Sequence, residues 1–193
     1  ASSTPTPTPT ATATATATAT RTNTPVPPTA TNTVVAAKST ATACAATYNT
    51  TVATGTIIPG VTDTGNHCDD CNTTVALPFA FTLYDTVYNS VQVGSNGFLS
   101  FGTPYDFFYT GCLPNANFTY TIFPFAVDQI TGAAGKGIFT VVTGTAPNRV
   151  FNIEWRACQY NGPTTCIANG NPNYKVQHIE ATYTFRLIFG ARA

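Results

Sequence analysis

The stretch that decides the fold reads Val91-Gln92-Val93-Gly94-Ser95-Asn96-Gly97-Phe98-Leu99-Ser100-Phe101. Large apolar residues recur at every second position on both sides of Asn96-Gly97, which is the period of a half-buried strand. Asn-Gly between two such runs is a strong hairpin signal, because a tight turn needs positive φ. The stretch therefore predicts two antiparallel strands joined by a short turn.

The same alternation recurs along the rest of the chain after about residue 44. Two runs each carry three large apolar side chains on one face of a predicted strand. They are Phe151, Ile153 and Trp155 in residues 149–157, and Phe185, Leu187 and Phe189 in residues 184–190. Further candidate strands are residues 75–83, 118–127, 137–143 and 174–181. No stretch has a convincing helical period, so about nine short strands predict an all-β fold, an antiparallel β-sandwich or jelly roll.

The N-terminal region has a different composition, and we divide the chain into an extended low-complexity arm, residues 1–43, and a β-sandwich domain, residues 44–193. Thr occupies every even position from Thr4 to Thr24, with Pro or Ala between most of them. Such a segment cannot bury enough apolar surface to offset its ordering entropy by itself. Fully extended, it spans roughly 140 Å, whereas a domain of about 150 residues has a radius of gyration near 15 Å. The arm can therefore cross neighbouring domains; the alternative is a flexible, O-glycosylated stalk.

Composition and charge limit the partners that the chain can bind and indicate the cellular compartment in which it is found. Charged residues are 8% of the chain and the net charge is zero, with no basic patch, so nucleic acid is not an expected partner. No apolar run reaches the roughly 18 residues of a membrane span. Six cysteines, an even number, and a chain that starts at Ala1 with no methionine predict a processed, secreted protein of the extracellular space or cell surface.

The cysteines are expected to form three disulfides rather than a metal site. The residues are Cys44, Cys68, Cys71, Cys112, Cys158 and Cys166. We expect Cys158 to pair with Cys166 across a short turn, and Cys44 and Cys112 each to take one of Cys68 and Cys71, in either order. Zinc binding by His67, Cys68 and Cys71 is disfavoured because no second ligand pair follows at matching spacing.

The sequence contains a weak candidate site for calcium and no recognisable catalytic motif. The calcium candidates offer oxygen ligands but no complete loop motif. They are Asp63, Asn66, Asp69 and Asp70. His67 and His178 are the only histidines, and we expect His178 on a strand surface. No nucleophile elbow or phosphate loop occurs, so the chain is predicted not to be an enzyme and to need no cofactor.

Four stretches carry a family resemblance: residues 77–84, 91–102, 123–128 and 146–155. Together they resemble a β-rich domain common in secreted bacterial proteins, and they are similar to the amino-terminal module of nidogen-like proteins. The arm resembles tracts that precede surface proteins of filamentous, often thermophilic, bacteria. The resemblance covers about residues 75–190 and implies adhesion, matrix or surface structure rather than catalysis.

Glycans are expected on the arm above all. Its threonines are candidates for O-linked sugars, and three asparagines match the N-glycosylation pattern. The candidates are Thr4, Thr6, Thr8, Thr10, Thr12, Thr14, Thr16, Thr18, Thr20, Thr22, Thr24, Asn49, Asn72 and Asn117.

Two functions fit these features. The first is a structural subunit of an extracellular filament or surface layer, whose arm adds a strand to neighbouring copies of the same chain. The segment best suited to insertion is residues 32–48, with Val34, Val35 and Ala36. The alternative is an adhesion or carbohydrate-binding module on a glycosylated stalk. Its platform would be Tyr105, Phe107, Phe108 and Tyr109.

Overall fold

The computed structural model describes residues 51–84, 86–105, 107–168, 170–182 and 184–190 as an all-β domain. Its strands are β1 (Thr62–Asp63), β2 (Asn72–Leu83), β3 (Thr86–Gly94), β4 (Phe98–Ser100), β5 (Thr121–Ile122), β6 (Gln129–Ile130), β7 (Gly137–Thr143), β8 (Val150–Arg156), β9 (Cys158–Gln159), β10 (Asn173–Ile179) and β11 (Thr184–Phe189). Nothing in these ranges is a helix long and apolar enough to cross a membrane. The arm and the boundary predicted at residues 43 and 44 lie outside the described residues.

The strands form two large antiparallel sheets. The first has five strands in the order β1-β7-β8-β10-β11, and the second has four in the order β2-β3-β4-β5. A small third sheet pairs β6 with β9. Apolar residues of both large sheets share one buried core, so the predicted β-sandwich is confirmed.

The hairpin predicted at Asn96-Gly97 is confirmed, but its turn is longer than a two-residue turn. Gly94 pairs with Phe98, which leaves Ser95, Asn96 and Gly97 in the loop. Of these three residues only Gly97 has positive φ, at 78°, as in three-residue loops that end on a left-handed glycine. A side chain at this position would also collide with the Phe125 carbonyl oxygen.

Strand boundaries follow the predicted ranges for β7, β8, β10 and β11, whereas other strands depart from them. The range 118–127 yields only the two-residue β5, because Pro124 follows and has no N–H for a ladder. Strand β2 starts at Asn72 and contains a register shift between Ala76 and Phe81. The two-residue strands β1, β6 and β9 are too short to show a period of two in the sequence.

Trp155 and Tyr174 hold the centre of the sandwich. Their rings stack with centroids 5.3 Å apart and an interplanar angle of 11°. The indole N–H of Trp155 donates to the Gly94 carbonyl oxygen at 3.0 Å, which joins β8 of one sheet to β3 of the other. Burial of each such side chain contributes about 1.5–3 kcal/mol, and the hydrogen bond fixes how the two sheets face each other.

Strand β8 is buried on both faces, not half-buried as its alternation indicates. Glu154 lies on the outer face with almost no exposure, because the segment before β1 crosses it. The Gly60 amide donates to Glu154 Oε2 at 2.7 Å, and Arg156 Nη2 donates to the Gly60 carbonyl at 2.7 Å. Beside them Lys175 Nζ donates to Asn152 Oδ1 at 3.0 Å, and burial lowers the pKa of Lys175. These bonds offset the cost of burying two charged groups.

The expected surface position of His178 is wrong. The side chain lies on the core face of β10, in edge-to-face contact with Phe81 at 4.5 Å between centroids. Neither ring nitrogen has a hydrogen-bond partner among the described residues. Burial lowers the pKa of His178 to about 4, from an ordinary value of 6.5, so the imidazole is neutral in the folded protein near neutral pH.

This burial predicts a pH dependence of stability. Between pH 6.5 and about 4 the unfolded chain protonates His178 while the folded protein does not. The free energy of unfolding therefore falls as the pH decreases through this window, by on the order of 3 kcal/mol in total. Urea unfolding of the His178→Leu variant, measured from pH 7.5 to 4, is expected to show a shallower pH slope than the wild type. Parallel slopes in the two proteins would show that His178 does not carry the effect.

Candidate functional site

The two large sheets end on four edge strands within the described residues, and three of these edges are poor templates for pairing. Strands β1 and β5 have only two residues each, and β2 carries Pro78 inside its register shift. Short length, proline and irregular register are the usual protections of a sheet edge. The fourth edge, β11 (Thr184–Phe189), is six residues long and has neither a proline nor a register shift.

The side of β11 that faces the core is apolar and exposed. Phe185, Leu187 and Phe189 pair directly with His178, Val176 and Tyr174 of β10. Directly opposed residues share a face of the sheet. The three β10 residues are no more than 1% exposed, whereas Phe185, Leu187 and Phe189 are 41%, 38% and 57% exposed. We call these three side chains the β11 surface; the sequence predicts their common face but not their exposure.

A shallow groove continues the β11 surface towards the core. Phe189 borders it together with Phe125 and Tyr174, and Pro172 and Gly190 complete its walls. The Phe189 ring lies 6.5 Å from Phe125 and 6.4 Å from Tyr174 between centroids. A contiguous exposed apolar surface is typical of an interaction site.

The cysteine pairing differs from the prediction at two of the three expected bridges. Cys158 and Cys166 form a disulfide, as predicted. Cys68 and Cys71 bond to each other, so the expected pairing of these two with Cys44 and Cys112 is wrong. The turn between them makes the short bridge possible: Asp70 adopts positive φ, and the Cα atoms of Cys68 and Cys71 approach to 6.1 Å. Cys112 lies on an exposed loop and Cys44 outside the described residues.

Three of the four calcium candidates hydrogen-bond to other residues, whereas Asp69 Oδ1 is buried with no hydrogen-bond partner among the described residues. Asp63 accepts from the Gly65 amide at 2.8 Å and contacts His67 Nε2 at 2.7 Å. Asn66 is buried, and its Oδ1 accepts from Thr131 Oγ1 at 2.7 Å. Asp70 Oδ1 accepts from Asn96 Nδ2 at 2.7 Å.

The pKa values of two side chains in the same loop are shifted by their surroundings. The hydrogen bond to Asp63 raises the pKa of His67, and partial burial, then repulsion by Asp70 and Asp128, raises the pKa of Asp69. Within the described ranges, no three His, Cys, Asp or Glu side chains are arranged to hold a metal ion. With both sulfurs of Cys68 and Cys71 in a disulfide, these residues offer no thiolates to zinc.

The aromatic cluster around residues 105–109 divides into a packed part and an exposed part. Tyr105 and Tyr109 both pack edge-to-face on Phe118, with centroids 4.8 Å apart in each pair. Phe107 and Phe108 are instead 57% and 39% exposed, with centroids 6.0 Å apart. Two of the four predicted platform residues therefore present their rings to solvent.

The predicted modification and assembly residues are only partly described. Asn117 is exposed, and Asn72 is half-buried, with its side-chain nitrogen 3.4 Å from the Tyr105 carbonyl oxygen. Outside the described residues lie Asn49, the threonines from Thr4 to Thr24, and the predicted insertion residues Val34, Val35 and Ala36.

An antiparallel β-sandwich with two disulfides defines a module of extracellular type. The model of the NIDO-related family matches residues 38–182, more than half of the chain. The chain therefore belongs to the NIDO-related family, which confirms the nidogen-like resemblance at the level of the family. A comparison with curated proteins and another with solved structures each found no match.

The exposure of the β11 surface predicts that its side chains contribute little to the stability of the isolated domain. Leu187→Ala is expected to lower the free energy of unfolding by less than about 1 kcal/mol, because the side chain is already partly hydrated. Ile153→Ala, at a fully buried position of β8, is expected to cost about 2–5 kcal/mol. Chemical denaturation of both variants in dilute solution measures the difference. Equal losses would mean that β11 is covered in the monomer.

Proposed function

We propose that the chain is a secreted, non-enzymatic structural subunit of an extracellular filament or surface layer. In this proposal the N-terminal arm of one subunit adds a strand to the sheet of a neighbouring copy. The observation that carries it is the β11 edge, which is long, regular and apolar on its core-facing side. Membership of the NIDO-related family supports the extracellular setting.

Strand addition fits the chemistry of both partners. An added strand satisfies the main-chain groups of the open edge, and its alternate side chains cover apolar surface. Each main-chain hydrogen bond contributes about 0.5–1.5 kcal/mol net, so a six-residue edge gives a specific contact. A head-to-tail contact of this kind forms a filament when the rotation does not close a ring.

The composition of the chain favours close association of copies. Charged residues are 8% of the sequence and the formal net charge is zero, so little long-range repulsion opposes approach. The same composition gives the free subunit little electrostatic help with solubility. We propose that O-linked glycans on Thr4 to Thr24 supply the missing hydration.

The test of assembly is deletion of residues 1–43. The domain is expected to stay folded, because the first buried residue of the described part is Gly60 and the core lies beyond it. The full-length protein is expected to form filaments or sheets, and the deletion variant to remain monomeric. Light scattering coupled to size-exclusion chromatography, with negative-stain electron microscopy, measures both.

A shorter deletion is the matched control. Removing residues 1–24 takes away the Thr repeat and keeps Val34, Val35 and Ala36, so assembly is expected to persist. Normal assembly by the protein lacking residues 1–43 would refute the role of the arm. For native secreted protein, a mass equal to that of the bare polypeptide would refute the glycans.

The second candidate function is an adhesion or carbohydrate-binding module. Phe107 and Phe108 favour it, because adjacent exposed rings are the surfaces on which sugar faces stack. Tyr105 and Tyr109, on either side of this pair in the sequence, pack on Phe118 instead.

If the aromatic pair binds glycans, Phe107→Ala combined with Phe108→Ala is expected to lower affinity by roughly fivefold to 150-fold, since stacking on each ring contributes about 0.5–1.5 kcal/mol. A glycan array followed by titration calorimetry measures this. Tyr84→Ala, at an exposed ring elsewhere, is the control and is expected to bind as the wild type does. No retained glycan on the array, or unchanged affinity in the double variant, would reject this function.

A further inference from the structure

We infer that β11 is the acceptor for the arm and that the inserted strand is residues 32–48 of a second copy of the chain. This inference rests on the proposed function and specifies its interface. The inserted strand would lie beside β11 in the plane of the five-stranded sheet. Its inward side chains would then cover Phe185, Leu187 and Phe189, which are 38–57% exposed in the described structure.

The main chain of β11 offers a regular ladder to such a strand. Strand β10 pairs with β11 at six successive positions without a shift, from Tyr174↔Phe189 to Ile179↔Thr184. In an antiparallel sheet alternate residues direct their N–H and C=O groups to opposite sides. Half of the β11 residues therefore point these groups away from β10, which leaves about six hydrogen bonds for an added strand.

The side chains of β11 select a donor of small or medium size. The β11 surface is built from two phenylalanines and a leucine, so its partner must fit between bulky groups. Residues 32–48 supply Val34 and Ala36 on one face of a strand, with Val35 on the other. Cross-strand pairs of aromatic and β-branched residues stabilise sheets.

The absence of proline together with the presence of valine favours residues 32–48 as the donor. Six prolines lie between Pro5 and Pro28, and the next one after Pro28 is Pro59. A proline has no N–H to give to a ladder. Both the Thr/Ala stretch of residues 10–24 and residues 32–48 are free of proline, but only residues 32–48 contain Val34 and Val35, strong strand formers.

The described part of the chain begins beside the acceptor strand. A Cβ added at Gly55 would lie 3.2 Å from Ile188 Cδ1 on the outer face of β11, and Ile57 lies beside Gly190. The chain therefore enters the domain next to β11. Only two residues separate residue 48 from Thr51, where the description begins, a reach of about 10 Å. Two subunits joined in this way would therefore be in direct contact, because the donor strand is connected to its own domain by only two residues.

The test uses full-length Leu187→Asp, which places a charge in the middle of the β11 surface. Val142→Asp is the matched control, because Val142 is 42% exposed and lies on the core-facing side of β7, away from β11. We expect Leu187→Asp to remain monomeric and Val142→Asp to assemble as the wild type does. Thermal unfolding of both variants confirms that they are folded.

Mixing makes the test specific for donor and acceptor. The protein lacking residues 1–43 keeps its acceptor, and full-length Leu187→Asp keeps its donor. Neither is expected to assemble alone, but together they are expected to form one-to-one heterodimers and nothing longer. Mass photometry reads this directly. A synthetic peptide of residues 30–48 should also bind the deletion protein, with at least tenfold weaker binding after Leu187→Asp.

The outcomes separate this inference from the proposed function. Assembly of Leu187→Asp like the wild type, with the deletion protein monomeric, would overturn β11 as the acceptor and leave the arm in its role. A folded, monomeric Leu187→Asp that forms no heterodimer and a peptide that does not bind would also overturn it. If Leu187→Asp is unfolded, binding of the labelled peptide to the deletion protein decides whether residues 32–48 are the donor. Unlabelled peptide of the wild-type sequence is expected to displace it, and a peptide of scrambled sequence is not. Assembly of the deletion protein, or a full-length monomer with residues 32–48 bound to its own β11, would refute the proposed function.

Discussion

The five-stranded sheet extends one strand beyond the four-stranded sheet that covers it. This difference in width leaves the apolar side chains of β11 exposed. Strand β10 is sealed on its core side by the second sheet, whereas its neighbour β11 carries the same kind of side chain into solvent. The second sheet ends in short strands: β4 and β5 are three and two residues long, and the chain between them forms an aromatic loop instead of a further strand. Within the described residues the core-facing side of β11 is only partly covered, with the Phe125 ring 6.5 Å from that of Phe189.

The rest of the sandwich holds β11 in a fixed position. The Trp155 indole ties the two sheets together through the Gly94 carbonyl, and the Gln129 side chain donates to the Tyr174 hydroxyl at 2.5 Å and to the Phe125 carbonyl at 3.2 Å. On the outer face, Glu154 accepts a hydrogen bond from the Gly60 amide and so holds the segment before β1 against β8. Because these contacts anchor β10, the strand beside it is already in register for a partner. Such preorganisation lowers the entropy that an incoming strand must lose on binding.

The sequence predicts the faces of this domain better than their burial. The period of two correctly groups Phe151, Ile153 and Trp155, as it does Phe185, Leu187 and Phe189, because alternation is a property of each strand alone. Whether a second layer lies on a face depends on distant parts of the chain. The polar face of β8 is therefore buried under residue 60, the apolar face of β11 is exposed, and His178 lies in the core. The Cys68–Cys71 bridge was missed for a related reason, since it depends on a left-handed turn at Asp70 that composition does not reveal.

An open apolar edge strand is a risk for aggregation unless the protein also supplies the strand that pairs with it. Edge strands of this kind pair with whatever extended chain they meet, and β11 lacks the proline and the irregular register that protect β2. In the proposed arrangement each chain brings one acceptor and one donor, so every edge inside an assembly is filled and only the terminal subunit keeps one open. The alternating prolines near the start of the arm act in the opposite sense, since they keep that part from pairing in the donor's place. In this arrangement the exposed strand and the arm occupy each other. Without its partner, each would be free to pair with other chains.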